Sequence, residues 1–494
     1  MSKILAPILA LIATALASQS GAAAGGEALE ARLDKALESP ALKKAKVGVH
    51  IVEVATGDVV YERNAAMPLN PASAVKLVTT AAALDLMGPD HRFVTRALGS
   101  RPEGGVVHGD IILEGGGDPA LMSDDLWRLA HLVSATGVTT VTGGVRVDHS
   151  RFDGDHTPPH FNTKKSDHAY RAQVCAAAID YATLQVRVHP GDKAGQPARV
   201  QVDPPGAPAK LDSKVMTKAG KSRLMVSSVS VGGVDRVTAR GSVPPGTRLR
   251  TVLRRTAHPA KVAGSAFKAM LAKEGVTVAG DVTVGPAPAG VRVLAIHRSR
   301  ALGHIVGDLN KWSNNFMAEM LLKGLAAHPK ASGASSAAGI KRVSAFLTKL
   351  GVPADQHTLS NGSGLYDANR ISAQALTTVL VAMHRRPDQA PEFVSALAVG
   401  GREGTLHARL KEPGLRGRVR AKTGTLARTA SLAGYVRSVG GRTYAFAFMG
   451  NDVGGVSATR SAADRMARVL ASIRGPEPPS AAAGASAARP ATLP

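Results

Sequence analysis

Val47, Val49 and Ile51 alternate with less apolar neighbours, Thr56-Gly57-Asp58 turns, and Val59-Val60-Tyr61 resumes, which predicts a β-hairpin. The period then changes. Ala81, Ala82, Leu84 and Leu86 follow a helical spacing that opens at Asn70-Pro71, a capping residue before a proline suited to the first helical position. Gly88-Pro89 ends it. From about 92 to 293 the chain breaks into short β-like runs (107–113, 145–147, 184–188, 276–284) separated by Gly and Pro, an inserted and mostly β region with room for two subdomains. Helical periodicity returns at Leu302, Ile305, Val306 and Leu309, breaks at Trp312-Ser313-Asn314-Asn315, and resumes at Phe316, Met320, Leu321 and Leu325. A third helix runs through Ile340, Val343, Phe346 and Leu350 to Gly351, with Pro353 beyond it. Strands are predicted at 418–425, 432–437 and 443–449, and a last amphipathic helix uses Val456, Met466, Val469 and Ile473. The expected fold is α/β, an antiparallel sheet flanked by helices, built from 25–91 plus 294–474 and interrupted by the insertion at 92–293.

The two ends read differently. Lys3 precedes an apolar run from Ile4 to Leu16, with small-residue cleavage sites at Ala15-Leu16-Ala17 or Ala22-Ala23-Ala24. The run is shorter than the roughly 20 residues of a membrane span, so a signal peptide (1–24, cut after 17 or 24) and export to the periplasm or cell envelope are expected, with no anchor left after cleavage. After Gly475 the composition turns Pro/Ala/Ser-rich, and a disordered tail is expected over 475–494. Hydrophobic content of 44% with 20% charged residues places the rest among globular proteins. Net charge is +24, but the basic residues are scattered, with no arginine-rich arm, zinc-ligand spacing or stacking aromatics. Nucleic acid is therefore not expected, and an anionic polymer or surface is the milder inference. Cys175 is the single cysteine, which rules out an internal disulfide framework and reads as a small buried apolar residue.

Candidate chemistry begins at Ser73 and Lys76, three residues apart at a helix start. That spacing puts hydroxyl and amine on one face, and a neutral amine can take the hydroxyl proton if burial lowers its pKa. Alone, Ser-x-x-Lys is a common accident, a solvated lysine beside a helix-start serine. Two later stretches change its weight: Ser313-Asn314-Asn315 in a loop between helices, and Lys422-Thr423-Gly424-Thr425 on a strand. Ser-x-x-Lys, Ser-x-Asn and Lys-Thr-Gly in this order resemble the signature of penicillin-binding proteins and serine β-lactamases.

With 240 residues between Ser73 and Ser313, the chain is similar to the D-alanyl-D-alanine carboxypeptidase/endopeptidase family, the class C low-molecular-mass penicillin-binding proteins, from about Leu29 to Arg474. Gly116-Gly117-Asp118-Pro119-Ala120-Leu121 is similar to that family's G-x-G-D-P-x-L, Asp148 to Phe152 to its D-x-S-x-F, and Gly401 to Leu406 to its G-x-D-G-T-L. Departures are Glu403 for aspartate, Asn361-Gly362-Ser363-Gly364-Leu365-Tyr366-Asp367 for D-G-S-G-L-S-R, and Gln173-Val174-Cys175-Ala176 within A-P-V-S-A-L. The resemblance implies a penicillin-binding transpeptidase/β-lactamase-like fold and hydrolysis of D-alanyl-D-alanine in peptidoglycan stem peptides and cross-links through an acyl-enzyme. β-Lactams would be inhibitory acylating partners, and no cofactor or metal is needed.

In that scheme Ser73 is the nucleophile and Lys76 the base, and Ser313 relays a proton to the leaving amine. Asn315 bonds Lys76 and substrate, and Lys422 supplies a permanent charge that keeps Lys76 neutral. Thr423 and Thr425 bind a terminal carboxylate, Gly424 leaves room for substrate along the strand, and backbone N–H groups of Ser73 and Thr425 form an oxyanion hole. A serine β-lactamase and a catalytically degenerate cell-wall scaffold are the rival readings. The histidines of the insertion, His156, His160 and His168, read as surface-loop residues, because Pro158-Pro159 breaks helical spacing and no carboxylate or cysteine sits at ligand spacing. Gly115-Gly116-Gly117 lacks the following Lys-Ser/Thr of a phosphate loop.

Overall fold

The computed structural model describes residues 29–163, 166–329 and 332–475; the expected signal peptide, and the tail beyond Gly475, lie outside the described residues. A six-stranded antiparallel sheet runs Ala398–Val399, Val419–Leu426, Thr429–Arg437, Thr443–Asn451, Lys46–Glu53, Val59–Arg63 in spatial order. The first long strand thus pairs with the last one, Lys46 opposite Asn451. Side chains alternate between two cores. Leu432, Val436, Phe446 and Phe448 face one, with Met466 and Leu470 of the last helix (Val456–Ala471) and Leu33 and Leu37 of the N-terminal segment. Ala433, Tyr435, Ala445, Ala447 and Met449 face the other, with the buried helices. This is a sheet covered on both faces, so Thr429–Arg437 is buried at every position but the last.

The expected helices form at Lys76–Met87, Leu302–Trp312, Asn315–Ala327, Ser336–Lys349 and Val456–Ala471. Their stops are those read from the sequence: Gly88 at φ 81° and Gly351 at φ 78°. The α-helix behind Ser73 begins later than expected, at Lys76, because residues Ala72–Val75 form a tighter 3₁₀ turn. A helix absent from the sequence reading, Ala373–His384, lies beneath the sheet, where Tyr435 Oη donates to the Leu380 carbonyl at 2.7 Å. Its sequence is apolar on nearly all sides, so no amphipathic period marks it.

The insertion leaves and re-enters side by side. Val94–Gly99 pairs antiparallel with Arg292–Arg298, Val94 opposite Arg298, so strand pairing runs past the expected limit at 293. These two strands belong to a five-stranded sheet that also contains Ile111–Glu114, Val145–Asp148 and Val282–Val284; three three-stranded sheets complete the sheets of the insertion among the described residues. The runs expected at 107–113 and 276–284 each split in two: Val106–Val107 with Ile111–Glu114, and Thr277–Val278 with Val282–Val284. Two helices, Ser123–Ala135 and Pro259–Lys273, were not anticipated, although Leu126, Leu129, Ala130 and Val133 carry the helical period and form the buried face of the first.

Close approach of Ser336–Lys349 to Asn315–Ala327 depends on Gly339, where an added Cβ would lie 2.2 Å from the Leu322 carbonyl oxygen. Replacing an exposed helical glycine with alanine stabilises by about 1 kcal/mol, whereas overpacking costs about 1–3 kcal/mol. Gly339→Ala is therefore expected to lower the thermal midpoint. Gly307→Ala, whose Cβ meets nothing within 4 Å in helix Leu302–Trp312, is expected to raise it. Thermal unfolding of the two variants beside the parent protein checks the opposite signs.

Candidate active site

Ser73 sits in a turn pinned from three sides. Asn70 Oδ1 accepts from Ala72 N–H at 2.8 Å, so Asn70 caps this turn rather than the α-helix. Asn70 and Asn451 bond reciprocally, Asn70 N–H to Asn451 Oδ1 at 2.7 Å and Asn451 Nδ2 to the Asn70 carbonyl at 3.0 Å. The Pro71 carbonyl accepts from Ser431 Oγ at 2.7 Å. Ala72, fully buried, is held at φ 46°. Such a backbone costs about 1–3 kcal/mol and survives only where its surroundings fix it. Gly364 supplies one wall, since a Cβ there would lie 1.9 Å from the Ala72 carbonyl oxygen, and Gly424 supplies another, 2.5 Å from the Pro71 carbonyl oxygen. Gly424 thus admits the nucleophile turn itself, a second demand on a position expected to leave room for substrate.

Lys76 is fully buried. Its Nζ lies 3.0 Å from Ser73 Oγ, 2.8 Å from Asn315 Oδ1 and 2.5 Å from the Ser363 carbonyl oxygen. A neutral amine has two N–H bonds and one lone pair. The two carbonyl-type oxygens take the N–H bonds, which leaves the lone pair for the Ser73 hydroxyl proton. Burial pulls the Lys76 ammonium down to about 7, against a weaker upward pull from Glu319. Glu319 is itself fully buried, accepting from Gly362 N–H at 3.2 Å and Ser363 N–H at 2.8 Å, and burial raises its pKa. It therefore orients the loop whose carbonyl holds Lys76. The sequence reading missed Glu319, although a lone carboxylate in the apolar run 316–322, four residues after Asn315, was a visible signal.

Ser313 ends helix Leu302–Trp312 in the left-handed conformation, φ 59°, and Asn314 Oδ1 caps the next helix by accepting from Met317 N–H. This tight reversal puts Ser313 and Asn315 on one cleft. Lys422 Nζ donates to Ser313 Oγ and to the Thr423 carbonyl, each at 2.8 Å. Lys422 is also fully buried, and burial, then the Lys76 charge, pushes its pKa well down. A permanent charge at Lys422 was expected; burial acts against the charged form there, and burial is also the main cause of the lowered Lys76 pKa. The two threonines part company. Thr425 is exposed on the cleft, and its Oγ1 accepts from Arg460 Nη2 at 2.7 Å. Thr423 Oγ1 is 2.9 Å from Thr405 Oγ1, in the turn Gly404–Leu406. Neither Arg460 nor Thr405 was foreseen.

The cleft measures about 940 Å³, lined by Ser73, Ser313, Asn315 and Thr425 and by residues of the insertion, His160, Thr163 and Tyr170. Asn315 Nδ2 donates to the Tyr170 carbonyl at 3.0 Å, so the insertion orients an amide of the site. A backbone carbonyl has no sequence signal. Glu403, one of the departures noted above, pairs with Lys311 at 3.2 Å, next to Ser313. Asp367, another, accepts from Asn70 Nδ2 at 2.9 Å and Arg370 Nη1 at 2.6 Å. The described residues contain one cluster of metal-ligand type, His149, His156 and Cys175, away from the cleft lining.

Residues 29–473 match the D-Ala-D-Ala carboxypeptidase 3 (S13) family. The chain is 35% identical to a D-alanyl-D-alanine carboxypeptidase of Actinomadura sp. (strain R39) over 485 residues, 95% of this chain and 88% of that protein. It is 25% identical to the D-alanyl-D-alanine carboxypeptidase DacB of Haemophilus influenzae over 411 residues, 81% of this chain and 84% of that one. In fold it is similar to the crystal structure of penicillin binding protein 4 (dacB) from Haemophilus influenzae, with a TM-score of 0.76 at 22% identity, covering 89% of this chain and 99% of the other. With its fold, its sequence over nearly its whole length and its order of Ser-x-x-Lys, Ser-x-Asn and Lys-Thr-Gly in agreement, the chain belongs to the D-Ala-D-Ala carboxypeptidase 3 (S13) family of peptidases.

Proposed function

We propose that the chain is an exported serine D-Ala-D-Ala carboxypeptidase in which Ser73 carries the acyl group, working on peptidoglycan stem peptides. The observation that carries the assignment is the buried Lys76 amine, whose two N–H acceptors leave its lone pair to the Ser73 hydroxyl at 3.0 Å. Lys76 takes the hydroxyl proton as Ser73 Oγ attacks the carbonyl of the penultimate D-alanine. The peptide C–N bond then breaks. The proton held by Lys76 passes by way of the Ser313 hydroxyl, which accepts from Lys422 Nζ at 2.8 Å, to the departing amine of the terminal D-alanine, and Lys76 is neutral again. Water hydrolyses the resulting ester and restores Ser73. The terminal carboxylate is received by Thr425, with the Arg460 guanidinium beside it. A β-lactam offers an equivalent carboxylate and carbonyl and would remain on Ser73 as a slowly released ester. The N-terminal apolar run supports export, and among the described residues no helix is long and apolar enough to cross a membrane.

Ser73→Ala is expected to abolish covalent labelling by a fluorescent penicillin, and mass spectrometry of the labelled parent protein should place the adduct on Ser73. An adduct elsewhere contradicts the assignment.

Acylation should rise with pH through a midpoint of about 7, because only the neutral Lys76 amine, dominant above its pKa, has a lone pair. Lys76→Arg keeps a cation but cannot deprotonate, so its acylation rate should fall by about 10²-fold or more. Stopped-flow acylation across pH checks both.

Thr425→Val and Arg460→Ala should each cut kcat/KM for peptides with a free C-terminal carboxylate by roughly 10- to 100-fold, the loss of a charge-assisted bond. Peptides amidated at that end should lose much less. Equal losses on both substrates would show a structural effect in place of carboxylate recognition.

A further inference from the structure

A second set of chemically capable side chains meets in the insertion. His149 follows strand Val145–Asp148, His156 lies in the irregular segment beyond it, and Cys175 follows the turn Ala169–Arg171. One donor atom from each lies within 4.8 Å of the other two. The two imidazoles pack edge to face with centroids 5.0 Å apart. His149 Nδ1 and His156 Nε2 are both buried with no hydrogen-bond partner. Buried polar atoms are ordinarily paired, and an unpaired one calls for an explanation. The two imidazoles, each with an unpaired buried nitrogen, together with a fully buried thiol make a set of lone-pair donors without protein partners for those nitrogens. Cys175 stands where the family pattern A-P-V-S-A-L has serine.

We propose that His149, His156 and Cys175 bind a divalent transition-metal ion, Zn²⁺ above all, with a fourth position open to water. The donor set carries the selectivity: two imidazoles and a thiolate suit Zn²⁺ and its neighbours, and exclude Mg²⁺ and Ca²⁺, which take oxygen. Donors at about 2.0–2.3 Å around a tetrahedral ion stand roughly 3.3–3.8 Å apart. Donor atoms within 4.8 Å of one another therefore need side-chain closure of up to about 1.5 Å, within reach of χ rotation. On binding, the Cys175 S–H bond breaks, an S–metal bond forms, and one proton goes to solvent. Burial pushes that thiol up to about 12 in the metal-free site, so affinity should grow with pH.

The electrostatic surroundings are mixed. Lys323 disfavours a cation at His156 but favours the thiolate at Cys175, and its ammonium is bonded to Asp153 Oδ1 at 2.5 Å and to the Asp155 carbonyl at 2.6 Å. Both aspartates favour a cation at His156. The site has a structural consequence. His156 and Cys175 bracket the segment that carries His160, Thr163 and Tyr170 onto the cleft wall, and its base is closed by Val174 N–H donating to the His156 carbonyl at 2.8 Å. A metal would fasten the same base a second time, below the Tyr170 carbonyl that orients Asn315. The site stands whether or not the carboxypeptidase reading does.

The test is a Co²⁺ titration of the untagged mature protein under reducing conditions. One equivalent should give a near-ultraviolet thiolate-to-cobalt band with tetrahedral visible absorption, and Zn²⁺ should displace both. Cys175→Ser should lose the ultraviolet band, and His149→Ala and His156→Ala should each weaken binding by about tenfold or more. Zn²⁺ should also raise the thermal midpoint of the parent protein and leave that of Cys175→Ser unmoved. Penicillin labelling of each variant reports that it is folded; where one is not, the parent titration decides alone. A parent spectrum with only octahedral Co²⁺ features, as exposed histidines give, or a band that persists in Cys175→Ser, overturns the proposal.

Discussion

The active site rests on one buried amine. Lys76 has no exposure to water, and its three neighbours are an amide oxygen, a backbone carbonyl and the nucleophile. Burying a charged ammonium is far more costly than burying a neutral amine with its N–H groups satisfied. The surroundings therefore favour the neutral amine, and the neutral amine sets the direction of proton transfer. Much of the nearby structure serves that arrangement. Glu319 holds the 361–367 loop through the Gly362 and Ser363 N–H groups, and so holds the carbonyl that accepts from Lys76. The turn at Ala72, Gly364 and Gly424 brings Ser73 within reach. Lys422 has its own bond to Ser313, buried beside it.

The fold supplies this site from distant parts of the chain without disturbing it. The insertion begins and ends on paired strands, so a long excursion enters and leaves at nearly one point. It is more than an ornament. Tyr170, from the insertion, orients Asn315, and His160 and Thr163 line the cleft. The reciprocal bonds between Asn70 and Asn451 tie the nucleophile turn to the end of a central strand.

Much of this was legible in the sequence because it depends on local periodicity and punctuation. The strand alternation at Val47, Val49 and Ile51, the stop at Gly88, and the break at Ser313 are consequences of side-chain period and backbone freedom. Ala373–His384 escaped because a helix buried on nearly every side has no polar face to mark it. The left-handed Ala72 escaped because tertiary packing, not alanine, dictates that conformation. The burial of Lys422, in the middle of strand Val419–Leu426, was hidden for a related reason: only the neighbouring elements, once in place, exclude water from it. The union of His149, His156 and Cys175 spans segments with no common spacing, so only the folded chain shows it.

The central claim is that Lys76 in the free enzyme loses its proton near neutral pH, far below an ordinary lysine. The most direct measurement is an NMR titration of the Lys76 Nζ, or of its Cε, in lysine-labelled protein, assigned by comparison with Lys76→Arg. A midpoint near 7 is the result the structure predicts. A midpoint at the ordinary lysine value of about 10.4 would contradict the account and move the role of base to another group.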